Sequence, residues 1–282
     1  MAAIRPWGMP MTEAGQPRPG PSSQSPNTSP PSAAPSLPAF RERGHQVTRL
    51  ESFVDAAFAF SLTMLVILFN ELPDTVAELR EALRRVPTFV FCFVLIAMFW
   101  GAHNRWSRRY GLDDARSIVL SLALVLVVMI YVYPLRMVIS SAMSLFTGGW
   151  VRSELGIDPA HWNADLQTAF MVYAVGFGLL SLIVCELNRH ALRRADALGL
   201  SEAERYETRT EIGLHWILAG SAGLSLLLSG VALAWPGERT PGLVASLPVW
   251  VYAALGAAMP YYAVRRNRQW LARQRPIQDV PA

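Results

Sequence analysis

Six apolar stretches, each about 20 residues long, are the feature that most constrains this chain. A helix of about that length spans a hydrocarbon core roughly 30 Å thick. Of the 282 residues, 52% are hydrophobic and only 16% are charged, whereas ordinary soluble domains carry about 25% charged residues. The sequence therefore predicts an all-α integral membrane protein with six transmembrane helices. The predicted spans are 50–70, 87–106, 116–138, 166–187, 212–235 and 242–264.

Segments of different composition flank these spans. The N-terminal segment is rich in Pro, Ser, Gly and Ala, and such a stretch cannot bury enough apolar surface to offset the entropy cost of ordering it. It also lacks the continuous apolar segment of a secretory signal. We therefore predict a disordered tail at 1–44, a six-helix transmembrane domain at 45–270 and a short C-terminal tail at 271–282.

Arginine placement predicts the orientation of the helices. All 25 basic residues are arginine, and cytoplasmic loops of membrane proteins carry an excess of basic residues. If the N-terminal tail is cytoplasmic, 19 arginines fall on the cytoplasmic side. We therefore predict a multi-pass protein of the cell membrane with both termini in the cytoplasm, and a basic charge that reports topology rather than binding to nucleic acid. The remaining arginines, on the opposite side, are Arg80, Arg84, Arg85, Arg136, Arg152 and Arg239.

Several classes of function lack their residues in this sequence. Without lysine, no phosphate-binding or Schiff-base lysine is available. No HExxH or GxGxxG motif occurs, and Cys92 and Cys185 lie far apart in apolar runs without zinc-ligand spacing. The segment AGSAG at 219–223 lies within a span, where it favours close helix packing over a nucleophile role. We therefore predict neither an enzyme nor a cofactor or metal site, and no TVGYG-type filter is present.

Ionisable residues at the mouth of the first span need partners. The segment RLESFVDAAFAF (49–60) places Arg49 and Asp55 at the edge of the hydrocarbon, where an unpaired charge is costly. The two lie about 240° apart around a helix, so they cannot easily pair within it. The segment FWGAHNR brings Trp100 and His103, which both form hydrogen bonds, to the same predicted depth. One interpretation is an interfacial cluster without function, and the other is a network that joins helices.

The same two segments resemble the transmembrane protein 175 family of potassium-permeable channels. Arg49, Phe53 and Asp55 match the first-helix signature R-x-x-x-F-S-D of that family. Trp100 and His103 match the Trp-x-x-His of its second helix. The resemblance implies that these five residues tie helices together near the cytoplasmic mouth.

The resemblance also implies a homotetramer in which four copies of the first helix line a central pore. In that family, bulky apolar side chains form the constriction. By position, the stripe facing the pore here is Phe60, Met64 and Ile67, with Thr63 as a nearby polar residue. Two residues depart from the family pattern, because Val54 replaces the motif serine and Phe60 is larger than the aliphatic residues of characterised members.

Three hypotheses of function remain open from the sequence. The first is a homotetrameric, potassium-permeable cation channel with a hydrophobic gate, which needs no cofactor and has K+ as its permeant ion. The second is a non-conducting membrane scaffold or regulatory subunit, in which the first-helix stripe packs between subunits. The third is a proton-coupled transporter that uses Asp55 and His103, although such proteins place ionisable groups near the bilayer midplane. The predicted partners are the lipid bilayer and, as a homotetramer, further copies of the chain.

Overall fold

An all-helical architecture is observed throughout the part of the chain that the structure describes. The computed structural model describes residues 40–67, 74–158, 160–235 and 241–274. Within these ranges there are seven helices and no strand. The helices are α1 (Arg49–Ile67), α2 (Val76–Arg84), α3 (Val86–Tyr110), α4 (Ala115–Phe146), α5 (Trp162–Arg193), α6 (Glu202–Leu233) and α7 (Gly242–Gln274).

Five segments of the described chain are long and apolar enough to cross a membrane. The prediction of an all-α, multi-pass membrane protein is therefore confirmed. The helix α1 lies outside this set of five, because Arg49, Glu51 and Asp55 fall within its first seven residues. Its crossing of the membrane, and the orientation of the bundle, stay predictions. The five segments are Val76–Tyr110, Ala115–Phe146, Trp162–Arg193, Glu202–Leu233 and Gly242–Arg273.

Polar caps, rather than the ends of apolar runs, set where α4 and α6 begin. The Ser201 side chain accepts a hydrogen bond from the Glu204 N–H, and the Glu204 carboxylate accepts one from the Ser201 N–H. This reciprocal cap starts α6 well before the predicted span at 212. Asp114 caps α4 by accepting from the Ser117 N–H at 3.1 Å, and it pairs with His190 at 2.8 Å. Although burial raises the pKa of the Asp114 carboxyl, these contacts outweigh it and lower the pKa to about 2.

The helix α5 lies at the centre of the bundle, with α3, α4, α6 and α7 packed around it. Phe177 on α5 meets Phe99 on α3 edge to face, with ring centroids 5.7 Å apart. The Tyr131 ring of α4 lies against Gly176, where a Cβ atom would come within 2.3 Å of it. Gly176 therefore permits the close approach of α4 and α5. The helix α1 packs mainly on α3 and α4, at the edge of the bundle.

A short segment before α1, residues 40–44, is docked on the bundle; we call it the N-terminal strap. The backbone N–H groups of Arg43 and Gly44 both donate to the Arg108 carbonyl at 3.0 Å. The Arg43 guanidinium donates to both carboxylate oxygens of Glu204, at 3.0 and 2.9 Å. The strap thus ties the C-terminal end of α3 to the N-terminal end of α6. We refer to this side of the molecule as the arginine-rich end.

The predicted tails lie mostly outside the described residues. This holds for 1–39 and for 275–282, so the predicted disorder of the N-terminal tail stays a prediction. Residues 40–44 were assigned to that tail by composition, and here they contact α3 and α6. Residues 271–274, assigned to the C-terminal tail, continue α7.

The strap predicts different effects for two neighbouring arginines. Arg43→Ala removes a guanidinium that is 15% exposed and leaves the Glu204 carboxylate without its charged partner. Breaking such a pair, allowing for its partial exposure, should lower the free energy of unfolding by about 3 kcal/mol. Arg41→Ala is the matched control, because Arg41 contacts Glu204 only through its backbone N–H. Unfolding in mixed micelles measures both variants, and equal losses would contradict the assignment to the Arg43 guanidinium.

Candidate functional site

The helix α1 has one buried face and one exposed face. Residues recur on each face at spacings of three and four, as expected for a helix packed along one side. Phe58 is only 2% exposed, whereas Phe53 is 54% and Phe60 is 51% exposed. The buried face consists of Glu51, Val54, Phe58, Ser61 and Leu65. The exposed face consists of Arg49, Ser52, Phe53, Ala56, Ala59, Phe60, Thr63 and Val66.

Two of the four predicted pore residues lie on this exposed face. Phe60 and Thr63 are exposed, and the Thr63 hydroxyl donates to the Phe60 carbonyl at 2.7 Å. Met64 is half-buried and packs against the core, so it lies at the edge of the face. The side chain of Ile67 lies outside the described residues. Ala56, one turn before Phe60, is exposed on the same face and was not singled out from the sequence.

The structure divides the predicted helix network into separate contacts. The Trp100 indole N–H donates to the Asp55 carboxylate at 2.8 Å, which joins α3 to α1. His103 is buried and meets the Ser121 hydroxyl of α4 at 2.9 Å, rather than bonding to Asp55. Arg49 is exposed and forms no hydrogen bond or ion pair with any residue described. Arg49 and Asp55 therefore do not neutralise each other within the chain.

Glu51 and Val54, both on the buried face of α1, have surroundings that the sequence alone does not reveal. Glu51 is buried and pairs with Arg108 of α3 at 3.4 Å, so the carboxylate at the start of the helix has a partner on another helix. Val54, in the position of the motif serine, is 0% exposed and belongs to the apolar core. A valine at this position gains burial where a serine would need a hydrogen-bond partner.

At the other end of α1, Arg136 of α4 holds the helix in place. Its guanidinium donates to the Leu65 carbonyl at 3.2 Å and to the Glu154 carboxylate at 2.8 Å. From the sequence, Arg136 indicates only topology, because no local pattern links it to residue 65 or 154. Together with Glu51–Arg108, this contact fixes α1 near both ends. The rotation of α1, and therefore its exposed face, is set by these anchors and by the core.

The polar groups on the exposed face of α1 are the Arg49 guanidinium and the hydroxyl groups of Ser52 and Thr63. In the ranges that the structure describes, no cluster of three or more His, Cys, Asp or Glu side chains is arranged to hold a metal ion. What the face offers is a line of bulky apolar side chains with Thr63 among them and Arg49 at one end. Such a surface can pack, exclude water or line a passage.

Comparison with known proteins shows similarity to potassium channels. A family model described as the endosomal/lysosomal potassium channel TMEM175 matches residues 49–134. A potassium channel of Marivirga tractuosa is 29% identical over 194 residues, which is 68% of this chain and 78% of that relative. The crystal structure of the potassium channel MtTMEM175, a threonine-to-alanine variant bound to a nanobody–MBP fusion protein, superposes with a TM-score of 0.65. It shares 25% identity and covers 82% of this chain and 98% of its own. Over residues 49–134 the chain therefore resembles the TMEM175 family.

The TMEM175 match begins at Arg49, the first residue of the signature, and ends at Pro134 within α4. It therefore includes α1, α2, α3 and most of α4, and with them each of the predicted site residues. The superposition on MtTMEM175 extends the similarity to the larger part of the bundle. The predicted resemblance to this family is confirmed, while the role of each site residue stays a prediction.

A double-mutant cycle tests which partner Asp55 has. Asp55→Asn and Trp100→Phe should each weaken the junction between α1 and α3, with a coupling energy of about 1 kcal/mol. Trp100→Phe removes the hydrogen-bond donor, whereas Asp55→Asn removes the charge of the acceptor and leaves a weaker, neutral hydrogen bond. The matched pair, Asp55→Asn with Arg49→Ala, should be additive, since these side chains do not meet within the chain. Unfolding free energies in mixed micelles give both couplings. A larger coupling for the Arg49 pair would contradict the observed contacts.

Proposed function

We propose that this protein is a homotetrameric, potassium-permeable cation channel whose central pore is lined by α1. The observation that carries the proposal is the exposed face of α1, which keeps Phe53 and Phe60 half uncovered on a helix anchored near both ends. Support comes also from the relatives, which are named potassium channels. The cell membrane is the proposed location, and K+ is the proposed permeant ion.

The polarity of the exposed face favours contact with water and other subunits over contact with lipid. Arg49 and Thr63 lie on this face, and Arg49 has no partner among the described residues. By contrast, the exposed surface of α4 is uniformly apolar around Leu126 and Ile130, as a lipid-facing surface should be. A charged side chain facing hydrocarbon would cost free energy that a water-filled entrance removes. The α1 face therefore suits the inside of an assembly.

Side chains, rather than backbone carbonyls, would define the narrow part of such a pore. The carbonyls of α1 are used in hydrogen bonds along the helix, so they cannot form the rings that replace an ion's hydration shell. Four copies of Phe60 at one level would form a ring that excludes water and raises the barrier to ions. Ala56, one turn away, would leave more room. Phe60 is therefore the proposed hydrophobic gate.

Substitution of Phe60 separates a channel from a scaffold. Phe60→Ala should widen the neck and Phe60→Asn should allow water into it, so both should raise potassium flux from liposomes severalfold. Phe58→Ala is the matched control on the same helix, because Phe58 points into the core. It should lower the free energy of unfolding by about 3–5 kcal/mol without raising flux.

The assembled state must be checked in the same samples by mass measurement in mild detergent. Intact tetramers that conduct in none of the wild-type, Phe60→Ala and Phe60→Asn forms would refute the channel proposal. Loss of stability at Phe60 with no gain in flux would favour the alternative, a non-conducting scaffold in which the α1 face is packed between subunits.

Disulfide cross-linking tests the tetramer and the rotation of α1 together. In a background without Cys92 and Cys185, single cysteines at 56, 60 and 63 should form cross-links between subunits. Cysteines at 58 and 65, on the buried face, should not. A strictly monomeric protein in mild detergent, or equal cross-linking on both faces, would contradict the proposed arrangement.

A further inference from the structure

A cavity of about 480 Å³ opens at the end of the bundle opposite the strap, where α3 begins. Three arginines line it: Arg85 from the junction of α2 and α3, Arg136 from α4, and Arg152 from the segment after α4. The carboxylate in its wall is Glu154. The three guanidinium groups come from separate parts of the chain, so the fold brings together positive charge that the sequence keeps apart.

The arginines differ in how far their charge is already matched. The Arg136 guanidinium is matched by the Glu154 carboxylate, with contacts of 2.8 and 2.5 Å. Arg152 lies 3.6 Å from Glu81, and its side chain is 71% exposed. The same Glu81 also pairs with Arg84 at 3.3 Å.

The Arg85 side chain is half-buried in the cavity wall, and its guanidinium meets no hydrogen-bond or ion-pair partner within the described ranges. Over the described residues, Glu81 pairs with Arg84 and Arg152, and Glu154 pairs with Arg136. Arg85 has no carboxylate partner among these residues. A half-buried cation without a counter-ion is destabilising. The cavity therefore favours an anion.

We propose that this cavity binds a phosphate group, held between Arg85 and Arg152. A guanidinium presents parallel N–H donors that fit phosphate oxygens in pairs. The cavity has room for a phosphate-bearing headgroup, and it is larger than a halide ion would need.

Two sources of that phosphate fit the surroundings. Tyr133 and Met137 form the membrane-facing side of the cavity, and the exposed apolar surface of α4 continues from them to Ile130. An anionic phospholipid could therefore place its headgroup at the arginines and its chains along α4, as in other basic pockets beside transmembrane helices. The second source is inorganic phosphate from the aqueous side. The site does not involve the exposed face of α1, so phosphate binding can be tested independently of ion conduction.

Binding to the full-length protein distinguishes these sources. In one arm, nanodiscs of phosphatidylcholine are compared with nanodiscs that also contain phosphatidylglycerol, and thermal unfolding and native mass spectrometry report bound lipid. In the other arm, inorganic phosphate is titrated in detergent. Wild-type protein should gain thermal stability in at least one arm. The double variant Arg85→Gln with Arg152→Gln should lose that gain, with Kd raised about tenfold or more.

The matched control removes the same charge elsewhere. Arg80→Gln with Arg209→Gln changes two exposed arginines outside the cavity and should bind like the wild type. Equal affinity of wild type and the Arg85, Arg152 variant in both arms would overturn the proposal, as would an equal loss in the control. If the double variant does not fold, the single variant Arg152→Gln provides the test. The Arg152 side chain is exposed and can be removed without disturbing the core.

Discussion

The fixed rotation of α1 is the constraint on which the rest of the structure depends. Val54, Phe58 and Leu65 are buried against α3 and α4, while the Glu51–Arg108 and Leu65–Arg136 contacts hold the helix near its two ends. A slip by one residue would turn the helix by about 100° and bring the exposed face toward the core. The core and the two anchors thus act together to keep Phe53 and Phe60 outside it.

In this arrangement, a single chain leaves part of the apolar surface of α1 unburied. Full burial of a phenylalanine side chain contributes about 1.5–3 kcal/mol, and Phe53 and Phe60 realise only about half of that here. Association through α1 would recover part of the remainder, while Arg49 and Thr63 keep the same face compatible with water. A face of this mixed kind is favoured at the centre of an assembly, where packing and hydration alternate along the helix.

Features that depend on residues close together in sequence can be predicted, whereas contacts between distant residues cannot. The cores of the five long spans follow from composition, because apolar runs of that length have few alternatives to a membrane helix. The helical period predicts a stripe on α1, but packing sets the centre of the exposed face, so Ala56 lies within that face and Met64 lies at its edge. The capping box of Ser201 and Glu204 is a local sequence signal, but it lies before the apolar run from which the start of the span is predicted. Arg43–Glu204, which joins residues 161 positions apart, has no local signal at all.

The all-arginine composition has a structural counterpart that charge counting does not reveal. The Arg43 guanidinium donates to both Glu204 oxygens and to the carbonyls of Leu198 and Gly199. Arg136 likewise bridges the Leu65 carbonyl and a carboxylate. Each contact needs donors that point in several fixed directions from one planar group, whereas a lysine ammonium is a compact charge on a flexible stem. Arginine at these positions therefore joins carbonyl groups at helix ends to carboxylates on other elements.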